Sequence, residues 1–343
     1  MSNHTSRPTF RLALRALRRA SPSRKAAAFA ATLTLGLAVG LLAVAQTQNV
    51  QAQTAQPQIP PRPVLDTPAK ELFSQVKTPA QMKPQAIGFY SRGCLAGGQA
   101  LPATGPEQIG KDEAPLWQVM RLSRNRYYGH PELIEYVEKL ATKVPKVSDW
   151  NGILVGDLSQ PRGGPVMSGH ASHQVGLDVD IWLTPGPKKQ LTSMEREKLS
   201  ASPMVRQDRR DIDPKNWTPN HWKIIRAAAE DPRVERIFVN AAIKKALCRE
   251  TQGNRNWLSK VRPYWGHDHH MHVRLSCPTG SPNCRPQKPV SQGNGCGAEL
   301  AWWFTDEVLN PKPEPAPTTP AKPKPEIMLD DLPRACAVVL DAP

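Results

Sequence analysis

Residues 175–183 read VGLDVDIWL, and their strict alternation constrains the fold more than any other stretch of the chain. Val175, Leu177, Val179, Ile181 and Leu183 are apolar; the positions between them are Gly176, Asp178, Asp180 and Trp182. A period of two places alternate side chains on opposite faces of a β-strand. One face must therefore be buried, while the other carries two carboxylates. Residues 269–275, HHMHVRL, repeat the device. Met271, Val273 and Leu275 face one way, and His270, His272 and Arg274 the other. The chain needs a sheet with an apolar back and an ionisable front.

If the two strands are neighbours, His173 (in the loop just before the first), Asp180 and His272 converge on one ion. Two imidazoles and a carboxylate are a typical catalytic zinc set. Such a zinc keeps a position for water and draws the pKa of that water toward about 7. His270 shares a face with His272 and is placed to accept or deliver a proton. Arg274, or His267 in the preceding loop, is placed to stabilise an oxyanion. Asp178 reads either as a carboxylate that orients a histidine or as a solvated side chain. His269 has no evident role. The competing readings are that an isolated histidine usually belongs to surface or core, and that a His-x-His strand also takes copper or nickel adventitiously.

The rest of the 343 residues says where this sheet works. Residues 1–45 hold seven Lys/Arg and no acidic residue, and end in the apolar run AAAFAATLTLGLAVGLLAVA. A basic start, an apolar run and a small-residue exit describe a secretory signal, cleaved after Ala45 or Ala52. The alternative is an uncleaved anchor, since the run is about long enough to span a bilayer. Its Ala and Gly content and its cleavage sites favour the signal, so no stable membrane anchor is expected. Removing those seven positives takes the formal charge from +15 to +15 − 7 = +8. A basic exported protein suits an anionic polymer such as cell wall, and no aromatic–basic motif points to nucleic acid. Six cysteines in an oxidising compartment imply disulfides. Their connectivity stays open from spacing alone, although the turn-rich PTGSPN between Cys277 and Cys284 suits a short local loop.

The organisation expected is a signal at 1–45, a Gln/Pro-rich lead-in at 46–83, one domain at 84–309, a Pro-rich linker at 310–326, and a tail at 327–343 that Cys336 tethers. Leu133, Val137, Leu140 and Ala141 have helical spacing within 131–144, behind Pro131. Residues 218–232 read as a helix with Thr218 as N-cap and Trp222, Ile225 and Ala229 on one face. Residues 234–240 read as a strand and 241–248 as a short helix. The fold class is α+β: a small antiparallel sheet carrying the zinc site, flanked by helices and stapled by disulfides.

The segments SGHASHQVGLDVDIW, HHMHVRLSCP and GCGAELAWWF, with FYSRGCLAGG and RIFVNAAIKKALC, resemble the penicillin-insensitive murein endopeptidases of the Gram-negative periplasm. The wider group includes lysostaphin-type endopeptidases, D-Ala-D-Ala peptidases and hedgehog domains, and shares a small α+β fold. The resemblance implies a catalytic Zn2+ on His173, Asp180 and His272, His270 as base and His267 as a supporting catalytic residue. It implies a second, interfacial zinc on His170, Asp208 and Asp211, although Asp211 stands where the family pattern has His, and with it a homodimer. It implies disulfides Cys94–Cys336, Cys248–Cys296 and Cys277–Cys284, although the Pro-rich insertion at 311–325 is atypical. The implied reaction is hydrolysis of the D-alanyl–meso-diaminopimelyl cross-link between stem peptides of peptidoglycan, in the periplasm. The alternatives are a D-Ala-D-Ala carboxypeptidase and a non-catalytic, zinc-containing cell-wall-binding module.

Overall fold

The two alternating segments become adjacent strands at the centre of a six-stranded sheet. The structure, a computed structural model, describes residues 66–108, 114–312 and 325–343. The expected signal sequence, most of the lead-in and most of the Pro-rich linker lie outside the described residues. In chain order the elements are α1 (Ala69–Gln75), β1 (Gln85–Phe89), β2 (Arg92–Ala96), β3 (Gln99–Ala100), β4 (Trp117–Val119), β5 (Tyr128–Gly129), α2 (Pro131–Val147), β6 (Ile153–Val155), β7 (Asp178–Trp182), α3 (Ser193–Lys198), α4 (Pro219–Ala229), β8 (Val234–Val239), α5 (Ala241–Glu250), β9 (Val261–Pro263), β10 (His270–Leu275), α6 (Ala298–Ala301), α7 (Asp306–Leu309) and α8 (Ala335–Asp341). Short 3-10 turns fill several of the connections.

The main sheet runs β4-β6-β7-β10-β8-β9. Its inner pairs, β6–β7, β7–β10 and β10–β8, are antiparallel, as expected. Its outer pairs, β4–β6 and β8–β9, are parallel, so the sheet is mixed rather than antiparallel. The reason lies in the helices. Parallel neighbours need a crossover, commonly a helix. α2 lies between β4 and β6 in the chain, and α5 between β8 and β9.

Apolar spacing built α2 and, elsewhere in the chain, α4. Leu133, Val137, Leu140 and Ala141 are all buried along α2, whose first residue is Pro131 and which continues through Pro145. Ile225 and Ala229 are buried along α4. At its start, His221 Nδ1 accepts the backbone N–H of Thr218 at 2.9 Å. These side chains join Val179, Ile181, Met271 and Val273 in one core. Each fully buried aliphatic side chain contributes about 1.5–3 kcal/mol to that core relative to exposure.

β7 is shorter than the alternation implied. It begins at Asp178 because the chain turns at Gly176, where φ is +71°. A Cβ at Gly176 would lie 2.7 Å from Leu95 Cδ2 and 2.9 Å from His130 N, so only glycine fits this approach. The carboxylate face of β7 is also not a solvated surface: Asp178 is 0% and Asp180 4% exposed.

A second apolar cluster joins Phe73 of α1 and Ile87 of β1 to Leu332 and Val339 near the C-terminus. Cys94–Cys336 ties the two ends of this cluster together, and Cys248–Cys296 and Cys277–Cys284 complete the set of bridges the resemblance implied. The Arg162 guanidinium donates to the carbonyls of Val339, Leu340 and Ala342 at 3.0, 2.8 and 2.6 Å. It thereby satisfies the otherwise open carbonyls at the end of α8. Among the described residues, no helix is long and apolar enough to cross a membrane.

Candidate metal and catalytic site

The β7–β10 register places Asp180 directly opposite His272, Asp178 opposite Arg274, and Trp182 opposite His270. His173 comes to the same face from the preceding loop. Its backbone is left-handed, with φ +67°, and its N–H donates to Asp178 Oδ2 at 3.0 Å. His173 Nε2 then lies 3.5 Å from Asp180 Oδ1, and His272 Nδ1 lies 3.1 Å from the same oxygen. The two rings are 4.6 Å apart, centroid to centroid. The three residues expected to share an ion are thus brought together.

His170 joins this group. Its Nε2 is 3.5 Å from Asp180 Oδ2 and 3.2 Å from Asp157 Oδ2. Ligand atoms of His170, His173 and Asp180 all lie within 4.8 Å of one another. Asp208 and Asp211 are not brought to His170 within the chain. Asp208 pairs with Arg206 and accepts the Arg210 N–H, and Asp211 pairs with Arg249 and Lys245. Both carboxylates are satisfied by local cations.

The buried atoms of the cluster suit a divalent cation. His173 Nδ1 and Nε2, Asp180 Oδ1 and His272 Nε2 are buried and lack a hydrogen-bond partner. Orphaned buried polar atoms are costly and rare. His170, His173 and the Asp180 carboxylate, with His272 Nδ1 beside that carboxylate, are donor types that a zinc-like ion takes. The charge pattern agrees. Burial would raise the Asp180 carboxyl, but His173 and His270 hold it well below its usual range. Burial would likewise raise Asp178, and Arg274 and His272 outweigh it. Burial lowers His272, yet Asp178 and Asp180 push it up to about 9, so the pocket draws positive charge.

The other histidines divide by environment. Burial, with help from its histidine neighbours, lowers His270 to about 4 against the opposing pull of Asp180, so its imidazole is neutral near pH 7. Burial also lowers His267. Its backbone is left-handed, φ +55°, and its Nδ1 sits 2.7 Å from the Trp265 carbonyl. A carbonyl only accepts, so Nδ1 carries the proton and Nε2 of neutral His267 is an acceptor. In that state Nε2 is suited to accept rather than to donate to an oxyanion. The ring lies 4.8 Å from that of His270 and 5.8 Å from that of His272. His269 is partly exposed and bonded to Asp268 Oδ1 at 2.7 Å, outside the cluster.

Arg274 is not free to stabilise an oxyanion either. Its Nε and Nη2 donate to Asp178 at 2.7 and 3.1 Å, its Nη1 donates to Gln287, and it stacks over Tyr90. Asp178 is the carboxylate of the orienting kind: it also fixes the His173 backbone and lies 3.1 Å from His272 Nε2.

Asp157, Arg124 and Arg126 escaped the sequence reading. Asp157 follows the buried strand β6 by two residues. Its carbonyl accepts the Asp180 N–H at 3.0 Å, which extends the pairing and brings its carboxylate to His170. The available signal was the acidic residue just past the apolar run Ile153–Val155. The cluster forms one wall of a cleft of about 460 Å³ lined by Arg121, Arg124, Asp157, His170, Asp180 and His270, among others.

A mixed α+β domain with a buried His/Asp group and a neutral histidine at the edge of a cleft suits a hydrolytic enzyme, and the comparisons identify a peptidase. The family model described as penicillin-insensitive murein endopeptidase matches residues 86–341. The chain is similar to proteins of that name from Klebsiella pneumoniae (41% identity over 269 residues, 78% of this chain and 90% of the relative). The similarity extends to Haemophilus influenzae (41% over 261 residues, 76% and 84%) and Pectobacterium atrosepticum (41% over 273 residues, 80% and 90%). The chain belongs to the penicillin-insensitive murein endopeptidase family.

Proposed function

We propose that the chain hydrolyses the D-alanyl–meso-diaminopimelyl cross-links of peptidoglycan in the periplasm, with a zinc ion held by His173, Asp180 and His272. The observation that carries this reading is the meeting of those three side chains, with buried unpartnered atoms, beside neutral His270 at the cleft. Zinc, when bound, supplies the positive charge that polarises the scissile carbonyl and acidifies the attacking water. His270 accepts a proton from that water and returns it to the leaving amine. His267, its Nδ1 proton committed to Trp265, offers Nε2 as an acceptor to the water or to the departing ammonium. Asp178 keeps His173 in place and is itself held by Arg274. No serine nucleophile takes part, so β-lactams have nothing to acylate. The basic N-terminal segment acts as the export signal on this reading.

The test is digestion of purified cross-linked muropeptide dimers by zinc-loaded protein, with and without chelator. Dimers should resolve to monomers, chelator should stop the reaction, and penicillin should leave it unchanged. Persistence of the dimer with folded, zinc-loaded protein overturns the proposal. Release of free D-alanine from monomeric stems would identify a carboxypeptidase instead, and pelleting with intact peptidoglycan without cleavage a binding module.

A further inference from the structure

The cleft has a basic rim that the proposed reaction does not use. Residues Leu122–Arg124 form a short 3-10 turn whose flanking residues, Arg121 (φ 58°) and Asn125 (φ 53°), are both left-handed. Strained backbone of this kind persists where surroundings over-determine it, and it concentrates at ligand sites. The described non-glycine residues with positive φ are Arg121, Asn125, His173, Arg209 and His267; all but Arg209 belong to the site or to this turn.

The turn is clamped from behind. Ser123 N and Oγ donate to Glu197 at 2.9 and 2.8 Å. The Arg121 guanidinium is spent on the carbonyls of Arg196 and Leu199. Arg124 differs. Its Nη1 touches Asp157 Oδ2 at 3.1 Å, yet its side chain is 48% exposed. Arg126 reaches the same oxygen at 3.1 Å and is only 10% exposed. Arg124 therefore brings a half-exposed guanidinium, anchored at one amino group, to the wall that also carries His170 and Asp180.

An anchored guanidinium with donors to spare is a carboxylate receptor, because its planar fork matches two carboxylate oxygens. The proposed substrate presents such a group: the carbon that bears the scissile amide nitrogen also bears a free carboxylate. Resting on the function proposed above, we propose that Arg124 is a specificity-determining residue that binds this carboxylate on the amine side of the cross-link.

The experiment compares cross-linked dimers carrying that free carboxylate with dimers in which it is a carboxamide, using zinc-loaded full-length protein. Wild type should favour the free acid in kcat/KM by a factor on the order of ten or more, mostly through KM. Arg124→Ala should lose that factor on the free acid and be unchanged on the carboxamide, so that the preference disappears. Arg124→Lys, which keeps the charge but not the fork, should fall between. A preference that survives in Arg124→Ala, or an equal loss on both substrates, overturns the proposal and leaves Arg124 as a support for Asp157. If wild type cleaves neither dimer, the endopeptidase reading fails by itself. The inference is then decided by calorimetric titration with the uncross-linked stem peptide. Binding that weakens in Arg124→Ala for the free acid alone supports it, and binding indifferent to the substitution overturns it.

Discussion

At the scale of the residue, one strand holds side chains with different tasks. His272 and His270 are two positions apart on β10, yet His272 lies 3.1 Å from both Asp178 and Asp180, while His270, 3.7 Å from Asp180, reaches the cleft. His272→Ala should lose zinc and activity together. His270→Ala should keep zinc, by metal analysis, and lose turnover by roughly 10²–10⁴-fold. An empty site in His270→Ala would reverse the two assignments. A second prediction uses stability alone. A ligand that binds only the folded state stabilises it by mass action, so zinc should raise the melting temperature of chelator-treated protein. Asp180→Asn should abolish that rise, since the negative charge of the carboxylate buried in the cluster is removed.

At the scale of the element, the sheet is held in register by its chemistry as much as by its apolar back. Asp178 and Arg274 face each other across β7 and β10, both nearly inaccessible to water. Breaking such a pair leaves an uncompensated buried charge. Arg274→Met should cost about 3–5 kcal/mol in urea unfolding, and adding Asp178→Asn should recover part of it. A cost below 1 kcal/mol, on the order of an exposed pair, would show that solvent reaches the pair. Gly176→Ala should also destabilise, by about 1–3 kcal/mol for the backbone alone, because β7 is entered through a left-handed turn against Leu95 and His130. Much of this level was legible beforehand. Alternation identified both strands and their faces, and helical spacing identified α2 and α4. What alternation missed was the entry at Gly176 and the parallel outer pairs. Both depend on how helices cross over and on what packs behind the chain, which no local period encodes.

At the scale of the molecule, the C-terminal segment is held to the domain through Cys94–Cys336, across 242 residues of sequence, and through Arg162. Replacing both cysteines by serine should cost about 2–5 kcal/mol. Limited proteolysis should then release the segment after residue 325 first. An unchanged digestion pattern would assign the tether to Arg162 and the apolar contacts instead. The sequence by itself determined the chemistry available: two amphipathic strands, the histidines and aspartates on their polar faces, a basic N-terminal stretch followed by an apolar run, and an even set of cysteines. These are local properties, written in periods of two or 3.6 residues and in composition. Only the tertiary structure decided which groups meet. Asp157 reaches His170 because β6 pairs with β7. Arg274 is consumed by Asp178 because register sets them opposite. His267 faces the cluster as an acceptor because a left-handed loop ties its other nitrogen to Trp265. Such pairings follow from long-range strand order and burial, where the cost of an unpartnered polar atom selects the arrangement.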